Sequence, residues 1–145
     1  MTAHSFRLIY DGEHPGDVNM ARDEAISRAV SAGSAMPTLR FYAWAPPAIS
    51  IGQAQKYDTI DHGACARDGV GLVRRSTGGL AILHTDELTY SVALPKEHPI
   101  AEGDLMTSYR RIADAILVAL ARLGVQDARA SRVAREDKAK TGVCF

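Results

Sequence analysis

Cysteine, aromatic residues, net charge and long apolar runs are all scarce in this 145-residue chain. Only Cys65 and Cys144 are present. Two thiols cannot staple a disulfide-rich secreted scaffold, so a reduced, cytoplasmic setting is the expectation. Lys+Arg and Asp+Glu both total 17. A zero net charge argues against a broad nucleic-acid surface. The longest apolar stretch, near Ala113 to Ala121, is interrupted by Asp114. It falls well short of the ~20 residues a bilayer span needs. Met1 to Tyr10 has no apolar run behind its charges and does not read as a secretory signal. No His-x-x-x-His or Cys-x-x-Cys spacing occurs, so no metal site is expected. What remains is an ordinary globular composition, 46% apolar and 23% charged. The expectation is a single domain over residues 1–145, long enough to bury roughly 68–70% of its unfolded surface.

Phe6 to Tyr10 reads as a strand closed by Asp11-Gly12. Asp17 is placed to cap a helix over 18–30, where Val18, Ala21, Ala25, Ile26, Ala29 and Val30 recur at helical spacing, and Gly33 ends it. Leu39 to Trp44 and Ala48 to Ile51 read as strands on either side of Pro46-Pro47. A short helix is expected over 57–68, and strands over 71–75, 80–83 and 88–94. Leu105, Tyr109, Ile112, Ile116, Leu120 and Leu123 form one face of a helix that Asp104 can cap and Gly124 can end. Strands and helices do not alternate regularly. An α+β fold follows, with a largely antiparallel mixed sheet flanked by helices.

The densest chemistry lies in Arg74-Arg75-Ser76-Thr77-Gly78-Gly79-Leu80-Ala81-Ile82-Leu83-His84. Glycine lets backbone approach a ligand, and the N–H groups of such a turn form an anion-binding concavity. Arginine adds forked donors for a carboxylate, a phosphate or a thioester oxygen. The plainer alternative is a strand-turn-strand hairpin with exposed arginines. No Gly-Lys-Ser/Thr follows, so this is not a P-loop. His84, near Asp86 and Glu87, suits a general base or a substrate holder, or is simply structural. Cys144, after Lys138 and Lys140, is either a thiolate nucleophile for acyl transfer or a small buried hydrophobe. Cys65 reads as a packing residue. Arg129, Arg132 and Arg135 add a basic bias near the end of the chain.

The 74–84 segment, followed by Glu87-Leu88-Thr89-Tyr90-Ser91, resembles the signature of the superfamily of lipoate-protein ligase A, octanoyltransferases and biotin-protein ligases. Asn19 to Ala25 is similar to the family's first-helix motif. Leu39 to Trp44 with Ser50 to Gln55 is similar to its strand pair, and Ser108-Tyr109 to the opening of its later helix. Cys144-Phe145 looks most like the branch that uses a cysteine nucleophile.

The resemblance implies an acyltransferase of protein lipoylation with a biotin/lipoate-ligase-like catalytic domain. Cys144 would take octanoate from acyl carrier protein as a thioester. It would pass the acyl group to a lysine of a lipoyl domain, in a glycine-cleavage H protein or an E2 subunit. Arg74, Arg75, Ser76, Thr77, Gly78, Gly79, Ala81 and His84 would bind substrate. Trp44, Leu80 and Ile82 are candidate walls of an apolar acyl pocket, and Arg129, Arg132 and Arg135 would guide an acidic carrier. No cofactor is implied. The alternatives are an ATP-dependent ligase, which would need ATP and magnesium, and a non-catalytic remnant that binds lipoyl domains. Family members continue past Cys-Phe with a strand and a Gly-x-Lys-x-x-Gly-like motif that this sequence lacks, so the domain is expected to be incomplete.

Overall fold

The computed structural model describes residues 5–130. The order is β1 (Arg7–His14), α1 (Gly16–Ser31), β2 (Thr38–Trp44), β3 (Ala48–Ile51), α2 (His62–Arg67), β4 (Gly71–Arg74), β5 (Ile82–His84), β6 (Thr89–Ala93) and α3 (Leu105–Arg122). The α+β expectation holds, with a finer division. Six strands make two three-stranded sheets, ordered β1-β2-β6 and β4-β3-β5. In each, the central strand has one parallel and one antiparallel neighbour. The sheets are thus evenly mixed rather than largely antiparallel. The cause is connectivity: α1 carries β1 over to β2, and α2 with a 3-10 turn at Tyr57–Thr59 carries β3 over to β4. A helical crossover returns the chain in its original direction, which makes parallel pairs. Two sequence-distant strands, β6 and β5, supply the antiparallel edges.

Local chemistry explains where the elements depart from expectation. Asp11-Gly12 does not end β1. Gly12 takes φ 69°, and the pairing jumps from Tyr10 opposite Phe41 to Glu13 opposite Ala43. This is a bulge, after which the strand resumes. Asp17 lies inside the first turn of α1 and bonds its neighbour's N–H, while Pro15 holds the cap position. The expected 57–68 helix is split at Ile60, and Asp61 caps the second piece through Ala64 N–H. The cap on α3 is as expected, with the Asp104 side chain accepting from Thr107 N–H. The core is small. Among the described residues, the core's buried apolar members are Val30, Tyr42, Trp44, Ala48, Ile51 and Cys65. Gly16 sits against it because a Cβ there would come within 3.2 Å of Trp44, Val73 and Ala48. Cys65 is buried, as its packing role required.

Candidate functional site

A cleft of about 480 Å³ opens where the two sheets meet. Volumes of this order hold small ligands. Met20, Asp23 and Ile26 of α1 form one wall, and Tyr109 and Ile112 of α3 another. The floor is made by Tyr42 and Trp44 of β2 and by β6. Ser50, Arg75, Ser76, Thr77, Ile82 and His84 close the side toward the second sheet. Of the residues singled out in the sequence, the structure brings Arg75, Ser76, Thr77, His84, Trp44 and Ile82 to this cleft. Arg74, Gly78, Gly79, Leu80 and Ala81 do not line it. Cys144, Lys138, Lys140, Arg132 and Arg135 lie outside the described residues, and Arg129 is exposed.

The arginine–glycine segment is not a hairpin. β4 and β5 flank β3 instead of pairing with each other, so residues 75–81 cross the end of β3. Arg74 Nη1 donates to the carbonyls of Gly52, Gln53 and Gln55 at 2.7–3.0 Å. Arg75 donates to Gly78 O and Leu80 O, both at 2.7 Å, and through Nη1 to Ser50 O at 2.8 Å. Both guanidiniums therefore shape loops by holding carbonyls. The Gly78-Gly79 turn lies directly on Gly52, where a Cβ would fall 2.1 Å from Gly79 O. Gly79 itself takes φ 92°. The glycines serve close backbone approach, and Gln53 N–H to Thr77 O at 2.9 Å ties the two loops together.

His84 is buried and bonded at both ring nitrogens. Nε2 meets Ser50 Oγ at 2.8 Å, and Nδ1 meets Glu87 Oε1. Its ring stacks on Trp44 with centroids 3.8 Å apart and planes 6° from parallel. Trp44 Nε1 donates to Thr89 Oγ1 at 2.8 Å, and that hydroxyl donates to Glu87 Oε1 at 2.7 Å. Ser50, His84 and Glu87 thus stand in the order of a nucleophile–base–acid triad. Ser50, however, is 1% exposed, and its hydroxyl accepts from Arg75 Nη1 at 3.1 Å. The hydroxyl thus braces Arg75 and His84.

A second polar cluster lies deeper. Arg40 is fully buried. It bonds Asp11 Oδ2, Asp23 Oδ1 and both oxygens of Asn19 at 2.7–3.2 Å. Asp23 also accepts from the Tyr42 and Ser91 hydroxyls, each at 2.7 Å. Burial first, and then the Asp23 carboxylate, push the Tyr42 phenol far above its ordinary value of 10.0. Burial alone would raise the Asp11 carboxyl, but Arg22 and Arg40 outweigh it and hold it below 3.8. Sequence reasoning missed Ser50 and this cluster as site-forming groups. Two signals were available: Asn19 and Asp23 at helical i,i+4 spacing, and an arginine between Leu39 and Phe41 inside a strand. Among the described residues, no group of three His, Cys, Asp or Glu is placed to hold a metal. No helix among them is long and apolar enough to cross a membrane.

Comparison with known proteins agrees with this geometry. Residues 15–145 match the family model of the lipoyl protein ligase A/B catalytic domain. The chain is 45% identical over its whole length to Octanoyltransferase LipM of Moorella thermoacetica, and 41% identical to that of Geobacillus kaustophilus. It spans about half the length of these relatives, 54% of each. Among solved structures, it is similar to the bipartite lipoate protein ligase of Thermoplasma acidophilum, solved as part of a lipoylation system with an E2 lipoyl domain. That match has a TM-score of 0.75 and 31% identity, covering 90% of this chain and 50% of the other. A lipoate-protein ligase A bound with ATP matches with a TM-score of 0.75 and 32% identity, covering 89% of this chain and 51% of the other. The chain belongs to the lipoyl protein ligase A/B catalytic-domain family.

Proposed function

We propose that the protein is an octanoyltransferase of protein lipoylation and that the cleft receives the acyl chain. The observation that carries this reading is the cleft itself, whose apolar wall of Met20, Ile26, Trp44, Ile82 and Ile112 runs up to the Ser76–Thr77 loop. Burial of an alkyl chain there is worth about 0.8 kcal/mol per CH₂. The relatives named octanoyltransferases support transfer of an octanoyl group, with a lipoyl-group-sized chain as the near variant. Cys144 is the proposed nucleophile. Its thiolate attacks the octanoyl thioester of acyl carrier protein, expels the carrier thiol and forms an octanoyl-enzyme. The ε-amine of a lipoyl-domain lysine then attacks that thioester, forms an amide and releases Cys144. The pair of transfers needs no cofactor. Backbone N–H groups near the Ser76–Gly79 loop are the proposed stabilisers of the oxyanion. Of the proposed substrate-binding set, Arg75, Ser76, Thr77 and His84 line the cleft, Arg74, Gly78 and Gly79 act by shaping the loop, and Ala81 lies beside it without lining the cleft.

The test is intact-mass spectrometry of the protein, together with the remainder of its domain, after exposure to octanoyl-acyl carrier protein. One octanoyl adduct is expected on the natural protein and none on Cys144→Ser. An undiminished adduct on Cys144→Ser removes the nucleophile assignment. The similarity to a ligase bound with ATP favours one second reading, ATP-driven ligation of free lipoate. It predicts modification from ATP, magnesium and lipoate with Cys144 dispensable.

A further inference from the structure

The Ser50–His84–Glu87 array belongs to the second sheet and the loop that leaves it, and it reaches the first sheet through Trp44 and Thr89. Ser50 Oγ accepts from Arg75 and shares a hydrogen bond with His84 Nε2. His84 Nδ1–H then donates to Glu87. Glu87 Oε1 also receives the Thr89 hydroxyl, which receives Trp44 Nε1–H. With the imidazole neutral and its proton on Nδ1, every donor and acceptor in this array has a partner. Trp44 and Thr89 belong to β2 and β6, whereas Ser50 and His84 belong to β3 and β5. At its far end Arg75 grips Gly78 O and Leu80 O, the carbonyls that define the glycine turn.

We infer that His84 is a positioning residue that couples the Trp44 wall of the cleft to the Ser76–Gly79 turn through Ser50 and Arg75. Stacking sets the plane of the indole, and Glu87 sets the orientation of the imidazole. The imidazole directs the Ser50 hydroxyl, and Ser50 completes the seat of Arg75. A ligand that presses on Trp44 thereby alters the hold on the turn. The consequence for acyl transfer rests on the function proposed above. The coupling itself does not.

Trp44 is the only tryptophan in the chain, so its fluorescence reports this coupling directly, without ligand. Glu87 is 35% exposed, so it can be replaced without opening the core. In Glu87→Ala, Trp44 emission should change and amide exchange across 76–79 should quicken roughly fivefold, the effect of losing one hydrogen bond. Glu87→Gln retains an acceptor for Nδ1–H and should restore both signals. Ser50→Ala should reproduce the faster exchange, and the double variant should exceed neither single by much, as expected of links in one chain. Unchanged exchange at 76–79 in Glu87→Ala, failure of Glu87→Gln to restore it, or full additivity in the double variant would each overturn the inference. Octanoate titration then separates the two readings. If octanoate leaves Trp44 emission of the natural protein unchanged, the functional proposal loses its support, and the ligand-free signals still decide the coupling. If it binds, Glu87→Ala should weaken it several-fold, with kcat for octanoyl transfer held and KM raised.

Discussion

Replacing Arg40 by methionine removes the guanidinium and keeps most of the aliphatic stem. In the natural protein that group is fully buried and meets two carboxylates, Asp11 at 2.7 Å and Asp23 at 2.8 Å. It also satisfies the backbone and side-chain oxygens of Asn19, which is itself fully buried, and lies 3.8 Å above the Tyr42 ring. After the substitution Asp11 keeps Arg22, while Asp23 keeps, among the described residues, the Tyr42 and Ser91 hydroxyls. Deleting one partner of a buried ion pair costs about 3–5 kcal/mol because the other charge stays behind. That is a large fraction of the ~5–15 kcal/mol that holds a domain together. Urea unfolding followed by Trp44 emission, compared at equal m-values, measures the loss. The loss should also depend on pH. Asp11 has a depressed folded pKa, so its contribution is present above the ordinary value of 3.8 and fades as pH falls through the folded value. The gap between Arg40→Met and the natural protein should therefore narrow below about pH 4. A loss under about 1 kcal/mol at pH 7 would refute the argument, because neither carboxylate could then depend on Arg40.

Two further perturbations test neighbouring links. Tyr42→Phe removes one hydrogen bond to Asp23 and should cost about 1–3 kcal/mol at neutral pH by chemical denaturation. The raised phenol makes folding favour the neutral form, so the natural protein should lose stability as pH rises above 10.0, and Tyr42→Phe should lose less, keeping the share due to Tyr90, which burial also raises; equal alkaline sensitivity in both would reject it. Gly52→Ala places a Cβ 2.1 Å from a backbone carbonyl, so the Gly78-Gly79 turn must shift at a cost of about 1–3 kcal/mol, read as a lower melting temperature and faster exchange at 76–79. An unchanged melting temperature would show that the two loops are not in contact.

Periodicity located most helices and strands because long amphipathic segments such as α3 repeat their apolar spacing many times. Sheet pairing was less visible. Nothing in Gly71–Arg74 or Ile82–His84 indicates that β3 separates them, because order within a sheet depends on crossovers and not on the strands themselves. The same gap explains the two readings offered for the arginine–glycine segment. Its residues are legible as a turn, but only topology shows that the turn folds over Gly52 rather than between paired strands. His84 stood out by residue type and by the acids after it. That Glu87 and not Asp86 is its partner, and that Ser50 lies on the other side, are facts of side-chain direction on strands 34 residues apart.

Buried polar residues lie where the two sheets and α1 come together. Among the described residues, the six buried apolar side chains are accompanied by six buried polar or charged ones. Apolar contact is non-directional and tolerates sliding, whereas a hydrogen-bond chain with assigned donors and acceptors does not. Arg40 locks α1 to the first sheet through Asn19 and Asp23, and the Trp44–His84 stack with its flanking bonds locks that sheet to the second. Both locks line or underlie the cleft, because the cleft is the seam. A purely apolar seam of the same shape would offer an alkyl chain a surface able to close on itself when empty. Rigid polar ties on either side keep the two walls apart, so the apolar space between them remains available to a ligand.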